Sequence, residues 1–477
     1  MSFYQPHPSL SYRFRLVRDA FLQKDGLPFD DVLPEAAIQE AFEQAGVSCA
    51  EADDEEQVYT PAVTLWAFLA QVLHAKELRS CTAAVARVVT LLVVLGRKPC
   101  STTNTGAYCR ARARLPEVVL TRLVYQIADG CEARLPAEWL WCGRSVKLVD
   151  GSTVSMPDTP ENQAAWPQPT TQEAGLGFPL ARIVVLLSLA TGLLGGLAMG
   201  PYAGKETGEP ALLRQLRDRL KPGEVLLADR YYCSYFMIAL LLEWGVDFVV
   251  RLHQRRGADF RRGQRLGPGD HVVTWSRPAK PTWMDQATYD RMPASLRLRE
   301  VEVAIPQRGF RVKSLVIVTT LSDADAYTRD DLAKLYRRRW LVELDLRTIK
   351  TTLNLDVLRC KTPEMVRKEL LVALLGYNLI RQTIVQVAEQ RGLSPRDLSF
   401  AAALQTIATN WMTVLVVEGP THDAIHASAW DGIAQHRIGN RPDRVEPRGV
   451  KRRPKPQPRL KKPRAEARAD LLAGIAA

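Results

Sequence analysis

Apolar residues recur at helical spacing through the first part of the chain. Residues 34–46, 60–77 and 115–130 each carry apolar side chains three or four positions apart, which predicts amphipathic helices. Residues 101–115 lie between the last two of these segments. They begin with Ser, Thr and Asn, which are common at helix N-termini, and predict another helix. The pattern therefore predicts an all-α region over residues 1–135.

From about Leu140 the pattern changes to short apolar runs bounded by turn residues, which is typical of buried strands. A helix is predicted before the fourth run and another after it. The predicted strands are residues 144–156, 181–190, 193–199, 223–231 and 246–253. A meander of three strands followed by strands mixed with helices indicates an α/β protein with a mixed sheet.

Residues 183–204 carry no charge and are long enough to span a membrane. Four glycines fall between Gly192 and Gly200, however, and a Thr191-Gly192 pair lies in the middle. Two buried strands joined by a tight turn explain this composition better than a helix does. We therefore expect no membrane span.

The sheet pattern is interrupted by a polar, Gly-rich stretch followed by three short strand candidates, which predicts a β-rich insertion. A capping-box pattern at Thr328 then begins one long helix, Thr362-Pro363 begins a second and Ser394-Pro395 a third. The expected order is a helical domain, the first part of an α/β core, the β-rich insertion, the second part of the core and a C-terminal region with a basic tail. Their ranges are 1–135, 136–253, 254–321, 322–415 and 416–477.

Composition and net charge limit the classes of protein and of binding partner that the sequence allows. The chain has 477 residues, 46% hydrophobic and 24% charged, which excludes disordered and fibrous classes and predicts about three domains. Its net charge of +12 favours a polyanionic partner. Residues 441–468 hold nine of those net charges and six prolines, which predicts a tail without regular structure. That tail is either a flexible arm on phosphates or a solvated segment.

The eight cysteines are scattered and no two are three positions apart, which argues against zinc knuckles and disulfide scaffolds. The first residues contain no apolar signal-peptide core. Both observations favour a cytoplasmic protein.

Three acidic residues are candidates for catalysis. Asp150 and Asp229 each end an apolar strand, and Glu343 lies in a helix rich in arginine. Carboxylate oxygens are ligands suited to Mg²⁺, and two such ions would activate an attacking oxygen and stabilise a leaving one in phosphodiester chemistry. Taken singly, each acid is explained as well by a surface carboxylate or a salt bridge.

The helix around Glu343 favours the catalytic alternative. At 100° per residue, four side chains fall within an arc of about 60°: Tyr336, Arg339, Glu343 and Lys350. A phenol, a guanidinium, a carboxylate and an ammonium on one face suit a DNA strand end. An intrahelical Arg339–Glu343 salt bridge is the alternative, but it accounts for neither the tyrosine nor the two aspartates.

Three arginines, Arg110, Arg112 and Arg114, lie near the start of a helix in the N-terminal region. They are candidates for contact with the DNA backbone. A solvated helix face is the alternative.

The sequence resembles a known family of proteins. Tyr336-x2-Arg339-x3-Glu343-x6-Lys350 matches the Y-R-E-K signature of bacterial insertion-sequence DDE transposases of insertion-sequence family 4. TNTGAYCRARARLP, LVDGSTVSMPDTPENQ, GPYAGKETGE, LLADRYYCSY and the basic ending also resemble that family, so the likeness runs from about residue 60 to 464. It implies an RNase H-like core with a β-rich insertion between the second acid and the third.

The resemblance also implies that residues 1–135 bind the DNA ends and that residues 136–253 and 322–415 form the catalytic core, and it implies roles for individual residues. It assigns two Mg²⁺ ions, for which Mn²⁺ can substitute, to Asp150, Asp229 and Glu343. Arg339 and Lys350 would then hold the phosphate of the cleaved end, with Tyr336 on nearby backbone.

Some members of the family cut through a DNA hairpin and stack a flipped base on a tryptophan of the insertion. Trp275 and Trp283 are the candidates here, and Trp275 is the one we select. One departure from the family is Tyr231, where many members have glycine.

The expected protein is a nucleoid-associated transposase that acts on double-stranded DNA, both the ends of its own mobile element and the target. Pairing two ends implies a homodimer in the assembled complex. A structure-selective nuclease without strand transfer and a DNA-binding regulator derived from a transposase are the alternatives. The presence of all three acids argues against the regulator.

Overall fold

We describe the protein from a computed structural model. The residues described are 14–49, 58–74, 76–94, 96, 104–304, 314–439 and 459–473.

A nine-stranded mixed sheet forms the centre of the described chain, with strand order β3-β2-β1-β4-β5-β9-β8-β7-β6. The strands are β1 Val146–Ser155, β2 Leu180–Ser188, β3 Leu194–Pro201, β4 Val225–Ala228, β5 Asp247–Arg251, β6 Gln264–Gly267, β7 Asp270–Ser276, β8 Ser295–Ala304 and β9 Ser314–Thr319. The α/β class and the mixed sheet expected from the sequence are confirmed.

Strand directions divide the sheet into a meander and a parallel part. β1, β2 and β3 pair antiparallel, whereas β4 pairs parallel with both β1 and β5. The second part of the sheet, β6 to β9, joins it through an antiparallel pairing of β9 with β5. The strands of the β-rich segment therefore extend the same sheet.

Helices cover both faces of this sheet. In the described part of the chain the α-helices are α1 Arg15–Ala20, α2 Glu35–Gln44, α3 Pro61–Leu73, α4 Cys81–Val94, α5 Gly106–Arg114, α6 Glu117–Glu132, α7 Pro160–Ala165, α8 Glu209–Arg214, α9 Tyr235–Glu243, α10 Gln286–Arg291, α11 Arg329–Arg338, α12 Trp340–Arg347, α13 Pro363–Gln390, α14 Phe400–Asn410, α15 Gly419–Gln435 and α16 Arg464–Leu472. Because side chains alternate across a strand, Leu148 packs into the core under α12 and α13, and Val149 packs into the core under α8 and α9.

The helices that precede β1 share one hydrophobic core with α13. Asn378 of α13 connects them to the sheet: its amide donates to the carbonyls of Val124 and Leu194 and accepts from the Leu194 N–H, at 2.8–2.9 Å. These bonds satisfy buried backbone groups that side chains of apolar residues would leave unpaired.

The uncharged stretch at residues 183–204 forms most of β2 and β3, as the sequence predicted, and Gly192 takes a φ of +79° between them. Within the described residues, α13 alone is long and apolar enough to cross a membrane, and its apolar window is entirely buried inside the protein. A buried central helix explains that composition.

Two predicted segments differ from the structure. The single helix expected after Thr328 is divided: α11 ends at Arg338, α12 begins at Trp340, and a π-helical turn, Thr348–Thr352, follows. The capping box at Thr328 is present. The predicted tail lies outside the described residues over 441–458, but its last part forms α16, which begins after Pro463 and so avoids the prolines.

Candidate functional site

Two aspartates lie on neighbouring strands of the sheet. Asp229 directly follows β4, as the sequence predicted, but β1 continues past Asp150 to Ser155, so Asp150 lies within its strand and does not end it. Val146, Lys147 and Leu148 of β1 pair with Val225, Leu226 and Leu227 of β4. Continuing this parallel register by two residues places Asp150 beside Asp229, which directly follows β4. Since residues two apart share a face, both side chains lie on the face where Leu148 and Leu227 enter the core beneath α12.

Local hydrogen bonds orient both carboxylates. Asp150 accepts the N–H of Gly151 at 2.8 Å, and Asp229 accepts the N–H of Tyr231 at 2.7 Å. Asp229 thereby caps the short turn Arg230–Tyr232 that follows β4. The tyrosine that replaces the family's glycine is compatible with this cap, and its ring is 54% exposed beside the acids.

The electrostatics of Asp150 show that several charged groups surround it. Burial raises the pKa of its carboxyl to about 7, and the negative charges of Glu209 and Asp229 act in the same direction. The Gly151 N–H and the positive charge of Arg339 oppose this rise in the pKa. Asp150 is therefore a partly desolvated carboxyl near two other carboxylates.

Glu209, at the start of α8, is a residue for which the sequence analysis assigned no role. A methyl group at Gly151 would lie 2.3 Å from its Cδ, so the absence of a side chain at Gly151 makes room for this carboxyl. The Tyr232 hydroxyl donates to Glu209 Oε2 at 3.3 Å. Burial raises the pKa of Glu209, and the charge of Asp229 raises it further. The signal in the sequence was an acid within GKETGE, a stretch that resembles the family.

Glu343 lies on α12 and is held by the arginine at the joint between α11 and α12. Arg339 Nη2 donates to Glu343 Oε1 at 2.6 Å, so the salt bridge considered from the sequence is present. The same guanidinium is near enough to Asp150 and Tyr336 that both raise its pKa. Arg339 therefore connects Glu343 on the helix to Asp150 on β1.

The three acids do not converge closely enough to form a metal site. Within the residues that the structure describes, no group of three or more His, Cys, Asp or Glu side chains could hold a metal ion. The charge of Asp229 raises the pKa of Asp150, and Arg339, which pairs with Glu343, lowers it.

Tyr336 belongs to the same constellation, and Lys350 stands further along the helix. Burial raises the pKa of Tyr336 to about 12, Asp229 raises it as well, and Arg339 lowers it. Lys350 lies in the π-helical turn, half-buried, without an ion pair or a side-chain hydrogen bond to any residue that the structure describes. π-Helical turns occur frequently at functional sites.

Two of the predicted DNA-contacting residues are buried, which corrects those predictions. Arg112 is 8% exposed; it donates to Gln71 at 3.1 Å and stacks on Phe68. Trp275 is 7% exposed; it donates to Glu300 at 3.1 Å, and Arg256 covers its ring. A guanidinium or an indole with these partners presents no free face to DNA.

The other candidates keep more of their surface. Arg110 and Arg114 are exposed on α5, four residues apart and thus on one face. Trp283 is half-buried, and Arg214 stacks on it with a distance of 3.9 Å from the guanidinium carbon to the ring centroid. Its indole face is occupied by that cation.

The mixed sheet places Asp150 and Asp229 on the face that is covered by α12, which carries Glu343, and the family that matches this part of the chain implies an enzyme of the polynucleotidyl-transferase type. The chain belongs to the transposase DDE domain family, whose model matches residues 141–379. That match contains Asp150, Asp229 and Glu343.

Relatives support the same class. The chain is 29% identical over 360 residues to transposase InsG for insertion sequence element IS4 of Escherichia coli K12, covering 73% of this chain and 77% of that protein. It is 33% identical over 183 residues to a probable transposase for insertion sequence element IS5377 of Geobacillus stearothermophilus, covering 37% of this chain and 44% of that one. The piggyBac transposase synaptic complex with hairpin DNA aligns over 92% of this chain and 90% of its own, with 10% identity and a TM-score of 0.41, too low to support an argument.

Proposed function

We propose that this transposase binds the terminal inverted repeats of its own mobile element and catalyses Mg²⁺-dependent strand cleavage and strand transfer by cut-and-paste transposition. The observation that carries the proposal is the parallel register of β1 and β4, which brings Asp150, within β1, beside Asp229, which directly follows β4. Both face α12, which bears Glu343.

The fold supports the proposal at a finer level. An antiparallel meander of β1, β2 and β3, continued by the parallel strands β4 and β5, is the arrangement expected of an RNase H-like core. The β-rich segment lies between Asp229 and Glu343, where the resemblance to the family placed an insertion.

Asp150, Asp229 and Glu343 would hold the divalent ions. The donor chemistry fits, because all three residues offer carboxylate oxygens, which are the ligands that Mg²⁺ prefers. Two Mg²⁺ ions bound there would supply Lewis-acid activation of the attacking oxygen and stabilisation of the leaving one. In the structure Arg339 pairs with Glu343. For all three acids to bind the ions, the Arg339 guanidinium therefore has to release Glu343 and bind another anion instead.

A DNA phosphate is the anion we assign to Arg339. Guanidinium groups bind phosphate oxygens in paired hydrogen bonds, so the phosphate of the cut end would release Glu343 toward the aspartates. Lys350 would contribute a second cation to that phosphate, and Tyr336 would bond to neighbouring backbone. Binding of the DNA end would then also bring Glu343 to the two aspartates and complete the metal site.

Contacts away from the cut end would come from exposed cations. Arg110 and Arg114 on α5 lie on one face and suit the phosphates of double-stranded DNA. Both transposon ends and target DNA would be bound, with a homodimer in the complex that pairs two ends. Such a protein would act at the bacterial nucleoid.

Replacing Asp229 tests the proposal. D229N should abolish cleavage of a labelled transposon-end duplex in Mg²⁺ and leave binding of that duplex within about twofold, because the change removes a metal ligand and no phosphate contact. D218N, at an exposed aspartate in the turn Arg217–Arg219, is the matched control and should cleave normally. Cleavage by D229N at the wild-type rate would overturn the assignment.

A second assay separates transposition from simple nuclease action. Pre-cut ends are mixed with a supercoiled target plasmid, and joined products are measured. The wild-type protein should join them, and D229N should not. Cleavage of ends without joining would identify a structure-selective nuclease.

A further inference from the structure

Two cysteines from different helices lie in contact in the N-terminal helical region. Cys81 is the first residue of α4, and Cys109 lies on α5. Their sulfurs are 3.9 Å apart, and the Cys109 thiol donates to the Cys81 sulfur. Both side chains are half-buried, and both cysteines are free thiols in the structure. The fold therefore brings together two thiols that are far apart in the sequence.

A cavity gives small molecules access to both thiols. It has a volume of about 410 Å³, and Cys81 and Cys109 are among the residues that line it. Cys360, in the segment that precedes α13, lines the same cavity, but burial raises the pKa of its thiol well above the usual range. A small oxidant that enters this cavity therefore meets the contacting pair and one thiol that ionises with difficulty.

The surroundings of Cys81 indicate which thiol of the pair reacts first. Burial raises the pKa of the Cys81 thiol, and the positive charge of Arg112 opposes this rise. Gln71 Nε2 donates to the Cys81 sulfur at 3.6 Å. Because Cys81 begins a helix of 14 residues, its sulfur also lies at the positive end of the helix dipole, where thiolates are stabilised. We therefore expect Cys81 to be the nucleophile and Cys109 the thiol that resolves the intermediate.

We propose that Cys81 and Cys109 form an oxidation site, which hydrogen peroxide converts to a reversible disulfide. The Cys81 thiolate attacks one peroxide oxygen, so that the O–O bond breaks, a sulfenic acid forms on Cys81 and hydroxide leaves. The Cys109 sulfur then attacks the Cys81 sulfur, the S–S bond forms and the S–O bond breaks. The protons of the two thiols end in water, so two thiols and one peroxide give one disulfide and two waters.

The bond can form with local movement and would enclose part of the helical region. Disulfide sulfurs are about 2.05 Å apart, so the two sulfurs have to approach by roughly 1.9 Å from their present separation. Rotation of a thiol about its Cα–Cβ bond displaces its sulfur by more than that distance. The disulfide would close residues 82–108 into a covalent loop, which restricts the unfolded chain and stabilises the folded one. No residue of the proposed active site takes part, so the inference is independent of the proposed function.

Mass spectrometry of the full chain tests the inference. The reduced protein is treated with hydrogen peroxide under native conditions, alkylated, and digested without a reductant. Wild type should give a pair of peptides joined through Cys81 and Cys109, and dithiothreitol should separate them. C142S, at an exposed cysteine, is the control and should give the same joined pair. C81S should give no joined pair, and C109S should instead accumulate a sulfenic acid on Cys81, which dimedone traps.

Thermal unfolding of the same samples measures the consequence for the fold. Peroxide should raise the unfolding temperature of wild type and of C142S by about 3 °C or more, because the cross-link restricts the unfolded chain. Dithiothreitol should reverse this rise, whereas it would not reverse an effect of methionine oxidation. C81S and C109S should show no such rise.

Three results would overturn the inference. The first is the absence of any joined peptide after peroxide treatment of wild type. The second is a peptide in which Cys81 is joined to Cys360 or to another cysteine instead of Cys109. The third is a rise in the unfolding temperature of C81S equal to that of wild type, because this would show that the stabilisation does not come from the proposed disulfide.

Discussion

Burial decides which of the candidate side chains are available for chemistry. Arg112 and Trp275 have the residue types that DNA contact needs, yet both are buried with partners of their own. Asp150 is also desolvated, but the charges that act on it include two other carboxylates, Glu209 and Asp229, besides the guanidinium of Arg339. A buried charge with opposite partners is a structural element, whereas one among like charges is a candidate for binding a cation.

Asp19 on α1 gives a prediction for stability against pH. Burial raises its pKa from 3.8 to about 6, against the opposing charges of Arg15 and His422. The folded state therefore binds the proton more tightly than the unfolded state, and the stability from this group is complete below pH 3.8 and lost as pH rises through about 6. D19N should unfold like wild type at pH 4 and be more stable by about 2–3 kcal/mol at pH 8.

Urea unfolding at a series of pH values measures this difference. D25N is the control, because Asp25 is 78% exposed and pairs with Arg18 at the surface. Its difference from wild type should stay small at every pH. A D19N curve parallel to that of wild type from pH 4 to 8 would show that Asp19 titrates normally.

At the scale of elements, the position of Glu343 depends on how α12 is fixed to its surroundings. Asp345, two residues further on, bonds to Arg381 of α13 at 2.6 Å and to Arg396 at 2.7 Å. All three side chains are at least 93% buried. This triad anchors the helix that carries the third acid to the central helix of the protein.

Breaking the triad should be strongly destabilising. D345N leaves two buried guanidinium groups without their carboxylate and should lower the free energy of unfolding by about 3–5 kcal/mol. The exposed pair of Arg391 and Asp431 provides the control, and D431N should cost less than about 1 kcal/mol. Equal losses in urea unfolding for the two variants would contradict the anchoring role.

At the scale of the whole molecule, the excess of positive charge supports DNA binding and its dependence on salt. The net charge is +12, and most of it lies in residues 441–468, outside the described part for 441–458. Each phosphate that a cation neutralises releases counterions, so affinity for transposon ends should fall steeply with salt.

Lys350 gives a specific form of that prediction. If it contacts one phosphate of the cut end, K350A should weaken end binding and reduce the slope of log affinity against log salt by about one. K334A is the control, since Lys334 is exposed on α11 about 160° around the helix from Tyr336. The same slope for K350A and wild type would remove Lys350 from the phosphate site.

Much of the architecture could be predicted from the local pattern of apolar and polar residues. The strands β1 to β5, the order of strands and helices, and the glycine turn between β2 and β3 follow from apolar runs bounded by turn residues. The division of the helix at Arg339 was not predictable, because the residues on both sides favour helix and Arg339 itself keeps a helical backbone conformation.

For the site, the sequence by itself determined which acids follow the apolar runs of β1 and β4 and how Tyr336, Arg339 and Glu343 are spaced, because periodicity and spacing are local properties of a chain. Only the tertiary structure decided that Glu209 lies against Gly151, that Arg339 holds Glu343, and that Arg112 and Trp275 are buried. Those contacts join residues from separate elements, and their energies depend on burial and on neighbouring charge, neither of which has a value until the chain is folded.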